Sequence, residues 1–178
     1  MESKPDAAGE VRQTLLTMRI IVLSLATGVS FFLAYVITSP ASEAVQPSML
    51  WMMMAGFAGS AVLARAVVPG ILFTTIRRKI ADGTWQTASK GGQQPQTDEG
   101  LLMAALQLKT IVGCALLEGA GFANAFAYMS ERHVASLAIT LALILMIVAH
   151  FPLRFRLDPW LELQKGWLDE ERSLRIAR

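Results

Sequence analysis

Glu118 is the residue whose type and setting point most directly to chemistry. It is the single charge inside Thr110–Met129 (TIVGCALLEGAGFANAFAYM), a 20-residue apolar run. About 20 such residues are needed to cross ~30 Å of hydrocarbon as a helix. A carboxylate at mid-depth costs ~2.5–3.5 kcal/mol on insertion scales, so it turns toward other helices or water rather than lipid. Three arrangements suit it: a protonated acid hydrogen-bonded within a bundle, an ion pair with Arg65, or a proton- or cation-binding group in transport. Arg65 is the only basic residue inside Met49–Val68. Its own alternative is to snorkel to the inner headgroups.

Spacings of three and four put Gln107, Thr110, Cys114, Glu118, Gly121, Ala125 and Tyr128 on one helical face, bordered by Gly113, Ala120, Asn124 and Ala127. Gln107 and Asn124 join Glu118 and Arg65 as buried polar candidates. Small residues recur in the second apolar block (Ala55, Gly56, Gly59, Ser60, Ala64) and in the first (Ser24, Thr27, Gly28, Ser30). In lipid, close backbone approach replaces the hydrophobic drive between helices, so Gly56, Gly59, Ser60, Gly113 and Gly121 are predicted packing positions.

Other chemistry finds no support. His133 and His150 fall at opposite ends of one apolar block, and Cys114 is the lone cysteine, so no metal set forms. The glycines around Glu118 (EGAG) lack the strand–turn–helix setting of a phosphate loop. No Ser/His/Asp constellation stands out, no cofactor is implied, and the basic segments suit lipid headgroups rather than nucleic acid.

These residues require helices to place them. Hydrophobic residues make up 53% of the 178 and charged residues 17%. Four blocks, 20–37, 49–68, 110–129 and 134–151, each reach membrane width. The fold class read from this is all-α: a polytopic membrane protein with four transmembrane helices in two hairpins, and a C-terminal cytoplasmic amphipathic helix. Under that arrangement 15 of the 16 Lys and Arg residues fall on one side, the exception being Arg132. The positive-inside rule then makes segment 1–19, loop 69–109 and tail 152–178 cytoplasmic, in an inner or plasma membrane.

The sequence SEA at 42–44 resembles a cleavage site. Three acids before the first block and its full width instead predict an uncleaved anchor. Pro69-Gly70 closes the second block, and Ile71–Ile80 continues the helix with a kink or lies along the surface. Thr97, followed by Asp98 and Glu99, predicts the start of the third helix. In the tail, Asp158-Pro159 reads as an N-cap and first helical residue. Trp160, Leu161, Leu163, Trp167, Leu168 and Leu174 share a broad face that suits either lipid or the bundle.

The stretch ALLEGAGFANAF resembles the carboxylate-bearing helix of rotary ATPase ring subunits, a resemblance over about 20 of the 178 residues. It implies that Glu118 binds a coupling ion within an oligomeric ring. The chain departs from that pattern: the acid is on the first helix of its hairpin, and no glycine-rich packing helix precedes it. The whole chain is similar to small four-helix membrane proteins of bacteria, which implies location and no activity. The expected function is structural or assembly-related, as a homo-oligomer or part of a larger membrane complex in the bilayer. The alternative is a small ion-coupled transporter or channel subunit using Glu118. An enzyme is disfavoured, because the outer connections are too short to hold a site.

Overall fold

The computed structural model describes residues 7–40, 49–86 and 95–176. Those residues fold into five helices: α1 (Ala7–Thr38), α2 (Leu50–Ala81), α3 (Asp98–Glu131), α4 (Val134–Val148) and α5 (Arg154–Ile176). Segments 1–6, 41–48 (with the SEA sequence), 87–94 and 177–178 lie outside the described residues.

Helices α1, α2 and α3, of 32, 32 and 34 residues, are long and apolar enough to cross a membrane. Apolar α4 has 15 residues, fewer than the 134–151 block expected. It tightens at its end, where the His150 and Phe151 N–H groups donate to carbonyls three residues back. Pro152 then disfavours an α conformation at Phe151. Beyond Pro69, where the apolar block ends, Ile71–Ile80 continues the helix, so Pro69 lies inside α2, the first of the two alternatives for that segment.

The chain forms two compact units. The span unit comprises 20–68 and 111–151. Its core takes Val22, Ala26 and Val29 from α1, Ala58 and Ala61 from α2, Cys114, Leu117 and Ala120 from α3, and Leu143 and Ile147 from α4. Large apolar side chains such as Phe31, Tyr35, Met53, Phe57, Leu63 and Leu145 point outward.

In the first block's small-residue row Gly28 is half-buried against Glu118 and Phe122 of α3, but the other three residues face away from the core. Ser24, Thr27 and Ser30 are exposed, and the buried row is Val22, Ala26, Val29, Leu33 and Val36. Ser30 can turn outward because its hydroxyl donates to the Ala26 carbonyl of its own helix, at 2.7 Å.

The charged unit comprises the described parts of 1–19, 69–110 and 152–178. Leu15 and Met18 of α1, Phe73, Ile76 and Ile80 of α2, Leu102, Met103 and Ala105 of α3, and Leu157, Leu161 and Leu168 of α5 make its core. Helix α5 begins at Arg154, so Pro159 is internal rather than its first residue. Burial of Leu157 accounts for the extra turn. The buried stripe is Leu157, Leu161, Gln164 and Leu168, while Leu163, Trp167 and Leu174 of the expected face are exposed. The tail helix therefore packs on its own unit by a narrower stripe than its apolar residues outline.

Polar contacts fix that packing. Arg172 forms two hydrogen bonds to Asp98, at 2.7 and 2.8 Å, and these hold the Asp98 carboxyl below the usual aspartate range. Lys165 pairs with Glu99 at 2.6 Å. Arg77 donates to Glu171 at 2.8 Å and to Gln164 at 3.1 Å, with its guanidinium over the Trp167 ring. Helix α3 starts where Thr97 predicts, its hydroxyl accepting from Gly100 N–H at 3.0 Å. Glu10 of α1 completes this start by accepting from the Gln96 and Thr97 N–H groups and the Thr97 hydroxyl. A carboxylate suits the partial positive charge of a helix N-terminus.

Candidate functional site

From Gly113 onward, much of the α3 face singled out by spacing, with its border and the neighbouring Leu117, is buried in the span unit. Cys114, Leu117, Ala120, Asn124, Ala125 and Ala127 are fully buried, and Gly113 and Gly121 are buried as well. Gly121 marks a close approach: a Cβ there would meet Val29 Cγ1 of α1 at 3.0 Å. Glycine permits that contact and a larger side chain does not.

Glu118 is half-buried and faces α1. A Cβ on Gly28 would lie 3.7 Å from its Oε1 and 3.8 Å from the Phe122 ring. Among the described residues no hydrogen bond or ion pair reaches Glu118. Neither the hydrogen-bonded strut nor the pair with Arg65 is present among the described residues. Arg65 is half-buried, and its Nε is buried without a hydrogen-bond partner. Cys114 lies within electrostatic range of both Arg65 and Glu118, a loose polar group with no hydrogen bond or ion pair joining its members among the described residues. Gln107 belongs to the charged unit and does not join it.

Asn124 ties α3 to α2. Its Nδ2 donates to the Met54 carbonyl at 3.0 Å and to Ala120 at 2.9 Å, while its buried Oδ1 has no partner. The α2 glycines behave differently. Gly56, Gly59 and Ser60 are exposed, and an added Cβ at either glycine meets nothing within 4 Å. Among the described residues no neighbour packs against that row, and α2 turns Ala58 and Ala61 inward.

A second polar cluster, at the turn between α3 and α4, escaped the sequence reading. Glu131 accepts from the N–H groups of Leu50 and Trp51, at 2.9 and 3.0 Å, and so caps α2. Arg132 donates to the carbonyls of Val36, at 3.0 Å, and Ser39, at the end of α1. It does so from a left-handed backbone conformation, φ +52°. His133 caps α4 by accepting from Ala135 N–H at 3.3 Å and stacks on Trp51 with ring centroids 4.2 Å apart. The signal was a deficit: α2 has no acid in its first turn and α1 no base in its last. Adjacent residues of one turn supply both charges, each at the helix end whose partial charge it opposes.

Among the described residues, no three His, Cys, Asp or Glu side chains cluster as a metal site requires. Comparison with protein-family models, with curated proteins and with solved structures returns no match.

Proposed function

We propose that this chain is a four-span protein of the inner or plasma membrane, with segment 1–19, loop 69–109 and tail 152–178 cytoplasmic, and that it serves as a structural or assembly component through helix–helix packing in the bilayer. One observation carries the reading: the outward row Gly56, Gly59 and Ser60 of α2, with open space beside both glycines. In lipid, small residues favour close helix association, and an exposed row of them within a membrane-width helix suits a neighbouring helix from another chain. The topology draws support from the division of basic residues. Its one exception, Arg132, is accounted for by its hydrogen bonds to α1 carbonyls.

Assembly is tested by the mass of the detergent-purified protein. The parent is expected as an oligomer, and Gly59→Leu, which meets no neighbour within the protomer, as a folded monomer. A monomeric parent sinks the reading. Single cysteines at Ser130 and Ser173 test topology. The first should label from outside and the second only after permeabilisation, and the reverse pattern would reject the orientation.

The unpartnered carboxyl of Glu118 favours a second reading, a small ion-coupled transporter or channel subunit. Glutamine keeps the size of glutamate without its ability to ionise. On this reading Glu118→Gln folds normally and loses flux in proteoliposomes, and unchanged flux removes it.

A further inference from the structure

We propose that α1 carries a binding site for the phosphate group of an anionic phospholipid. Arg12 and Arg19 stand at i and i+7 on one side of α1 and, with Leu15 and Leu16 between them, line a recess of about 320 Å³. That volume lies at the lower end of ligand clefts, ~300–1,000 Å³. No acidic residue is among the described residues that line it. Arg12 is exposed and makes no hydrogen bond or ion pair among the described residues. The nearby acid of the same helix, Glu10, is engaged at the start of α3.

The guanidinium fork matches a phosphate by paired, charge-assisted hydrogen bonds, and its weak hydration keeps the desolvation cost low. The two Cα positions are roughly 10 Å apart along the helix at 1.5 Å per residue, so long side chains can close on one phosphate from either side. Leu16 is 50% exposed beside them, an apolar surface that suits a glycerol backbone and acyl chain and offers nothing to a free anion. Arg19 also directly precedes the first apolar block. The site therefore lies at inner headgroup level under the proposed topology, on which this inference rests. Basic recesses in that position suit anionic lipids.

The test uses the full-length protein in detergent micelles, titrated with phosphatidylglycerol or phosphatidylcholine, with bound lipid counted by native mass spectrometry. Phosphatidylglycerol should bind at least about tenfold more tightly. Arg12→Gln and Arg19→Gln should each weaken it about tenfold, through loss of charge-assisted hydrogen bonds. Arg78→Gln, at an exposed α2 arginine outside the recess, should change it less than about twofold, as diffuse surface attraction predicts. Melting temperature checks that each variant is folded, and exposed Arg12 decides the matter if Arg19→Gln misfolds. Equal binding of the two lipids overturns the inference, as does an Arg78→Gln loss equal to that of Arg12→Gln. Full displacement of the lipid by millimolar inorganic phosphate would make this a free-anion site and overturns it too. Release of the protein from membranes by alkaline carbonate would instead defeat the membrane reading, a separate result.

Discussion

The span unit and the charged unit are both helical and both have apolar cores, yet they use polar side chains in opposite ways. In the charged unit, Asp98–Arg172, Glu99–Lys165 and Glu171–Arg77 join α5 to α3 and α2 by ion pairs. In the span unit among the described residues, the interhelical polar ties inside the core reduce to Asn124 on the Met54 carbonyl, and Glu118 has no partner. Among the described residues of the span unit, charged side chains do make hydrogen bonds at helix ends, where Glu131 and Arg132 meet backbone groups. Long charged side chains thus order surfaces that meet water. Helix centres of the span unit rely on side-chain size, and a glycine or an alanine there does what a salt bridge does elsewhere.

Four experiments can break or sharpen this contrast. The largest effect belongs to the span core. Leu117→Ala, at a fully buried position, should cost about 2–5 kcal/mol through the cavity it leaves. Gly121→Leu should follow at about 1–3 kcal/mol, because Val29 must move. Melting in detergent measures both, and parent-like values would mean that size does not hold this core.

The helix-end charges come next. Glu131→Ala should cost about 1–2 kcal/mol, the range of a lost cap. Arg132→Ala should be more harmful than Arg132→Gly, since glycine accepts φ > 0 without steric strain. Equal stability of Ala and Gly variants would show that backbone strain at Arg132 plays no part.

A smaller effect is expected in the charged unit. Arg172 lowers the Asp98 pKa, so the pair stabilises the folded state above the ordinary aspartate range. That stabilisation is lost as pH falls through the folded-state pKa. Both side chains are more than a third exposed, which limits the contribution to about 0.2–1 kcal/mol. Protection factors of the α5 amides, corrected for the intrinsic pH dependence of exchange, should fall on acidification in the parent and depend less on pH in Asp98→Asn; identical profiles would remove the pair from the account. The smallest effect on the protomer's own fold is expected from Gly56→Leu, where an added Cβ meets nothing within 4 Å; it should lower the oligomer fraction in detergent without lowering the melting temperature of the monomer, and a drop in that temperature would contradict it.

Much of this architecture is legible in the sequence, but unevenly. Blocks at 20–37 and 110–129 lie within α1 and α3, and the 49–68 block, Met49 excepted, lies within α2, because a membrane-width apolar run is itself the signal. Thr97 with Asp98 and Glu99 marks the start of α3, since capping chemistry is local. Which way a helix turns is less legible when it is apolar all round. With no polar face to contrast, periodicity could not choose between Ala58 and Gly59, or between Val29 and Ser30. The broad apolar face of α5 hid its seam for the same reason, with Leu161 and Leu168 inward and Leu163 and Trp167 outward. The caps from Glu10, Glu131 and Arg132 act across 80 or more residues, a distance over which no local pattern speaks. For Glu118, the sequence isolates the residue but not its surroundings, because the Gly28 position opposite is set by tertiary packing.

The turn at Glu131 and Arg132 has a consequence for the order of events in biogenesis. Helices α1 and α2 are made first, yet the groups that close the Val36 end of one and the Leu50 end of the other are translated only after α3. Until the ribosome passes residue 132, those two ends lack these partners and must be served by water or headgroups. Arrival of the third helix with its turn on the same side then closes both at once. A third helix inserted the wrong way round would put the turn on the opposite face and close neither. Under the proposed topology, completion of this turn closes two earlier helix ends in a single step late in synthesis.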